Sequence, residues 1–264
     1  MADATAIAPA RAPVSRERLE EHREVWRRKP ALGEIYRVWF DALLESAEPG
    51  ATVLEIGSGP GFLGSRARTR RPDLRWISSD VVVTPWNSLV ADALRLPLLG
   101  QSVDAVVALD LVHHLARPAV FFSEAARVLK PGGSFSAIEP WVTTLSYPIY
   151  RWTHPEGCTL DIDPWDPFGV AESREKEPLR GDNACSWRLV RAVPASRWGE
   201  LGFEPPRVVL FNGFAYLASL GFRERSLLPQ RLVPLLLRLD RRLVRFAPVL
   251  ALRALLTWRR RARG

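Results

Sequence analysis

At 264 residues, 47% apolar and 25% charged, the chain has the make-up of a folded, water-soluble protein with room for one sizeable core and an appendage. Its net charge of +8 is local: from Gly221 onward twelve arginines face Glu224 and Asp240, a surplus of ten, so the other 220 residues sum to about minus two. Cys158 and Cys185 form no C-x-x-C pair and every window of 18 residues carries a charge, which excludes a zinc ribbon, a disulfide framework and a spanning helix.

Residues 1–14, rich in Ala and Pro, are expected to be disordered. They lack the basic start and apolar run of a secretory signal, so a cytoplasmic protein is expected. Ser15 to Ala47 carry Val25, Ile35, Val38, Trp39, Ala42 and Leu43 at helical spacing, broken by Pro30 and Gly33, and predict two helices. They are placed to cover a ligand's open side, with Tyr36 facing it or packing. After Pro49-Gly50, Val53 to Ile56 is a short β-branched apolar run that stops at Gly57, Gly59 and Gly61, a buried parallel strand ending in a glycine turn. Phe62 to Arg70 then reads as a helix, whose free amides and positive dipole end would face a ligand.

Leu74 to Asp80 predicts the second strand and ends on an acid nineteen residues past Gly61, where a doubly wound sheet places a carboxylate for two ribose hydroxyls. Val90 to Pro97, containing Asp92 and Ala93, predicts a third strand running into a loop. Ser102 to Asp110 is a nearly all-apolar fourth strand that opens into Leu111-Val112-His113-His114-Leu115. A helix from Arg117 to Leu129 follows, then Lys130-Pro131-Gly132-Gly133 and a fifth strand from Ser134 to Glu139. Alternating strands and helices with short loops predict an α/β, doubly wound, mostly parallel sheet.

Trp141 to about Arg191 loses its period. It is dense in aromatics, Pro and acids, including Tyr147, Tyr150, Trp152, Trp165, Asp166, Phe168 and Trp187, and predicts a lid or substrate loop over residues 141–191. His154, Cys158, Asp161 and Asp163 match no zinc or calcium spacing, so no metal is expected. A helix from Ser196 to Leu201, a strand from Pro206 to Phe211 and a hairpin partner at Phe214 to Leu217 would complete a body of residues 15–226. The remaining 227–264 alternate leucine clusters with arginines and predict a basic amphipathic helical tail. Such a tail can lie on an anionic membrane surface at the inner face, with Trp258 at the boundary; packing on the body is the alternative.

The glycine spacing is one residue short of G-x-G-x-x-G, with Gly64 an imperfect substitute, and no phosphate loop G-x-x-x-x-G-K-[ST] occurs. E-I-G-S-G-P-G, the acid Asp80, the pair Asp92-Ala93 and the run A-R-V-L-K-P-G-G-S-F instead resemble class I S-adenosylmethionine-dependent methyltransferases, over about residues 50 to 140. The likeness is strongest to the small-molecule subgroup that includes quinone and sterol methyltransferases. It implies a Rossmann-like seven-stranded sheet and S-adenosyl-L-methionine held by Glu55, Gly57, Ser58, Gly59, Gly61, Asp80, Asp92, Ala93 and Asp110. It also implies transfer to an O or C atom of a small, hydrophobic or lipid-linked acceptor.

His113, His114 and His154 are the candidate proton acceptors, being imidazoles near or over the carboxyl edge of the sheet. A nucleic-acid methyltransferase is the rival enzyme, but base-amino chemistry uses D/N-P-P-Y/F/W where this chain reads D-L-V-H-H. No nucleic-acid partner is expected. From another class, the chain could be a membrane-associated protein that keeps the fold without turnover.

Overall fold

A computed structural model describes residues 15–167 and 181–262. The expected disorder of 1–14, and Phe168 of the lid, lie outside the described residues. Helices α1 (Arg16–Arg28) and α2 (Pro30–Glu45) come first. Ser15 caps α1 by accepting the Arg18 amide at 3.4 Å, and Pro30 starts α2, where a missing N–H costs nothing. There follow β1 (Thr52–Ile56), α3 (Phe62–Arg70), β2 (Arg75–Asp80), β3 (Leu89–Val90), β4 (Val103–Leu109), α4 (Pro118–Val128) and β5 (Leu129–Pro140). The segment after β5 supplies α5 (Ser146–Thr153) and α6 (Cys185–Ala192). The remainder forms α7 (Ala195–Glu200), β6 (Arg207–Phe211), α8 (Phe214–Ser219), α9 (Val233–Arg242), α10 (Ala247–Leu250) and β7 (Arg253–Arg259).

The seven strands lie in the order β3-β2-β1-β4-β5-β7-β6. β1 to β5 are parallel, and β7 runs antiparallel to β5 and β6. Successive strand residues point to opposite faces. Val53, Ala105, Val107 and Ile138 pack with Leu43 of α2, Leu63 of α3 and Ala215 of α8. Leu54, Val106, Ala108 and Phe135 pack with Phe122 of α4, Leu189 of α6 and Trp198 of α7. The result is the expected doubly wound, three-layer α/β sheet. The chain winds outward one way from β1 to β3 and the other way from β4, so the loops after β1 and β4 part and leave a crevice.

Two expectations fail beyond β5. The partner of β6 is β7, some forty residues later, while 214–219 is helical. The tail of 227–264 is helical only as far as Leu250 and ends as an internal strand between β5 and β6. Arg253-Ala254-Leu255-Leu256-Thr257-Trp258-Arg259 alternates about one face, with Ala254, Leu256 and Trp258 all fully buried. Adjacent leucines disguise that period. Trp258 therefore stacks on Phe135 at 5.2 Å in the core and is not at a boundary with lipid. α9 packs on α2 and α8 through Val233, Leu236 and Leu237. No helix among the described residues is long and apolar enough to cross a membrane.

Candidate active site

The glycine turn sits at the crevice. Gly57, Gly59 and Gly61 have φ of 67°, 48° and 78°, a region that side chains with Cβ rarely adopt. Asp80 ties the end of β2 to this turn: its Oδ2 accepts the Gly59 amide at 2.8 Å and its Oδ1 the Val82 amide at 3.0 Å. A carboxylate has about four acceptor positions, so two remain for hydroxyl donors. The Ser58 amide donates to Ser79 O at 2.9 Å and its hydroxyl to Asn87 Oδ1 at 2.8 Å. The Ala91 amide donates to Asp80 O at 3.0 Å, which brings the Asp92-Ala93 turn beside Asp80. Asp92 Oδ1 accepts the Leu94 amide at 2.9 Å, and Ala93 is buried.

Glu55 is the exception among the expected cofactor contacts. Its buried carboxylate lies beneath the turn, accepting Trp76 Nε1 at 2.8 Å and Ser78 Oγ at 2.9 Å, and so braces β1 against β2. Burial, only partly offset by those two donors, raises its pKa to about 7.

Above β4 and β5 a second set of groups gathers. Glu139, fully buried at the end of β5, accepts the amides of Leu111, Val112 and His113 at 3.0, 2.8 and 3.3 Å, and Ser186 Oγ at 3.0 Å. It also holds His113 Nδ1 at 2.6 Å. Beyond the ring lies Glu156, 3.5 Å from His113 Nε2, 3.9 Å from His114 Nε2 and 3.4 Å from His154 Nδ1. Burial works against charge on His113, but the two carboxylates outweigh it and lift its pKa to about 10. The same pairings pull Glu139 and Glu156 below the ordinary carboxylate range in spite of their burial. His113 is thus held between two carboxylates that favour its charged form. His154 is more exposed, with Asn183 Nδ2 3.1 Å from its Nδ1, and burial lowers its pKa.

Asp110, with φ of 54°, closes β4 and forms an ion pair with Arg253, the buried first residue of β7. The guanidinium lies 4.8 Å from the Trp39 ring centroid and 5.7 Å from that of Tyr216. Tyr36 takes the packing alternative: it is buried among Trp26, Trp39, Phe40 and Tyr216. Cys158 is buried while Asp161 and Asp163 face outward, so that quartet does not converge.

Several residues at the site escaped the sequence reading. Trp86 donates to Gly59 O at 2.7 Å, and its ring lies so close over Gly61 that a Cβ there would sit 2.5 Å away. Arg23 of α1 covers that indole at 4.4 Å and donates to Pro60 O at 2.6 Å, so the N-terminal helices do reach the glycine turn, through Arg23. Glu139 had a visible signal, an acid closing an apolar strand. Glu156 and Arg253 had none, since only the fold brings them to this edge.

Residues 54–137 match the family described as a methyltransferase domain. The chain is 25% identical over 142 residues to the ubiquinone/menaquinone biosynthesis C-methyltransferase UbiE of Cereibacter sphaeroides, covering 46% of this chain and 55% of that protein. It is 28% identical over 176 residues to an uncharacterized methyltransferase of Mycobacterium ulcerans, covering 62% and 66%. The chain thus spans about half to two thirds of the length of these relatives. Phosphoethanolamine N-methyltransferase 2 of Haemonchus contortus, solved with S-adenosyl-L-methionine, shares the fold with a TM-score of 0.52 at 17% identity, over 88% of this chain and 56% of that one.

Proposed function

We propose that this chain, a member of the class I S-adenosylmethionine-dependent methyltransferases, transfers a methyl group to an O or C atom of a small, hydrophobic or lipid-linked acceptor. The observation that carries the proposal is the left-handed glycine turn joined to Asp80 at the crevice between β1 and β4. The residues there fit the cofactor. Gly57, Ser58, Gly59 and Gly61 would hold its amino-acid end, the spare acceptor positions of Asp80 the ribose, and Asp92 with the Ala93 backbone the base. When bound, the cofactor supplies an electrophilic methyl on a sulfonium.

The chain's own part is to align, exclude water and move a proton. α5, α6 and residues 154–167 close over the carboxyl edge. Gly181 permits that closure, since a Cβ there would meet His114 Nδ1 at 2.7 Å. His154 and His114 border the resulting cleft and are placed to take a proton from an acceptor hydroxyl, while His113 holds the turn. The acceptor's hydrophobic class rests on the UbiE relative.

A peripheral membrane site belongs to the same reading. Leu235, Leu239, Val244, Phe246 and Val249 are exposed among the exposed Arg231, Arg238, Arg241, Arg242 and Arg245, a mixture suited to anionic headgroups over acyl chains. Calorimetry with S-adenosylhomocysteine tests the central step. The native chain should bind one equivalent and Gly59→Arg none; absence of binding by the native chain removes the proposal.

A further inference from the structure

We infer that Arg23 of α1 and Trp86 of the β2–β3 loop are positioning residues for the cofactor's amino-acid end, holding the glycine turn in the form that accepts it. The inference rests on the methyltransferase reading and gives a role to two residues outside the turn. Three left-handed glycines between residues 57 and 61 have much backbone freedom to lose, so the turn is loose unless its peptide groups are held. Two successive carbonyls are pinned from outside it. Trp86 Nε1 donates to Gly59 O at 2.7 Å and Arg23 Nη1 to Pro60 O at 2.6 Å. The Gly61 amide, on the same peptide group as Pro60 O, donates to Ser58 O at 2.8 Å. Neither carbonyl can then turn toward the ligand, where its oxygen would repel a carboxylate, and the opening amides of α3 are left to receive one.

The two pins act as one unit. The Arg23 guanidinium lies 4.4 Å from the Trp86 ring centroid and 5.9 Å from that of Phe62, the first residue of α3. The indole in turn lies against Gly61, where a Cβ would sit 2.5 Å from it, so the third glycine of the turn answers Trp86 as well as its own φ. Charge sets Arg23 apart from its neighbours on the same helix. Arg16 pairs with Glu20, and Arg27 and Arg28 with Glu24, whereas no carboxylate pairs with Arg23 among the described residues. Its charge is directed at a carbonyl and two rings beside a turn suited to an anion. A cation there adds to the attraction that the dipole of α3 exerts on a carboxylate.

Calorimetry on the full chain compares two probes: S-adenosylhomocysteine, which carries the amino-acid end, and 5′-methylthioadenosine, which keeps the nucleoside and the sulfur without it. Affinity for S-adenosylhomocysteine should fall about 10-fold in Arg23→Met and about 5-fold in Trp86→Phe, which loses the indole N–H. Arg23→Lys, which retains the charge and a donor, should recover part of the loss. The double variant Arg23→Met with Trp86→Phe should lose less than the product of the two, because the stacked pair holds one turn. Affinity for 5′-methylthioadenosine, and Tm, should match the native chain throughout, both side chains being half-buried. Equal losses for the two probes, or native affinity for S-adenosylhomocysteine in both Arg23→Met and Trp86→Phe, overturn the inference and leave the methyltransferase reading standing. A native chain that binds no S-adenosylhomocysteine removes that reading and the inference with it.

Discussion

Glu55→Gln separates a bracing role from a ligand-binding one. Glu55 is 3% exposed, and its pKa rises from an ordinary 4.5 to about 7 because burial disfavours its charge. The unfolded chain releases this proton near 4.5 and the folded chain only near 7. Its contribution is therefore fully present below about pH 4.5 and is lost as pH rises to about 7. The gap corresponds to roughly 3 kcal/mol. Glutamine keeps the volume and an oxygen for Trp76 and Ser78 but cannot ionise. At pH 8 the variant should be more stable than the native chain by roughly 3 kcal/mol, or about 6–12 °C in Tm, with the difference fading toward pH 4.5. Affinity for S-adenosylhomocysteine should stay within a few-fold. Thermal unfolding across pH 4.5 to 8, with calorimetry at pH 8, measures both quantities. A stability difference independent of pH would refute the burial account. A loss of cofactor affinity with the fold intact would put Glu55 back among the ligand contacts.

Asp80→Asn should weaken S-adenosylhomocysteine binding by about 100-fold, from roughly 1.5 kcal/mol for each of two charge-assisted bonds to the ribose; unchanged affinity in calorimetry would move the ribose elsewhere. Trp258→Ala should cost about 3–5 kcal/mol in chemical unfolding, as expected for a fully buried indole, whereas a boundary tryptophan would cost far less. Leu235→Glu with Leu239→Glu should abolish flotation with anionic vesicles at unchanged Tm, because both side chains point outward; equal flotation would remove the membrane surface from the proposal.

Legibility in the sequence followed the range of the interactions. The glycine turn, the acid closing β2 and the Gly-Gly exit after α4 are each written within a few residues, since each answers a local backbone demand, and β1 to β5 followed from them. Glu55 was read as a ligand contact from its neighbours in sequence, while its observed partners, Trp76 and Ser78, are set by the pairing of β1 with β2. His113 was read from its ordinary pKa, which two carboxylates from β5 and the lid override. No local pattern announces such a pairing.

The same distinction decides whether the last 38 residues are an appendage. Composition sets them apart, but three contacts bind them into the body. β7 sits between β5 and β6, so its removal would strip backbone partners from both and leave Phe135 without its stacked ring. Asp240, the acid within α9, accepts the first amides of α8 at 2.9 and 3.3 Å, satisfying donors that a helix start leaves open. The Ala31 amide, at the start of α2, donates to Gln230 Oε1 at 3.3 Å. Arg253 then delivers one of the tail's positive charges to Asp110 at the cleft. A surplus of arginine that composition assigns to an external partner is therefore divided. One buried cation pairs with Asp110, while the arginines of α9 and of the turn after it face outward. Deleting 227–264 would unfold the sheet before it tested any membrane, so only substitutions on the outward face of α9 address that question.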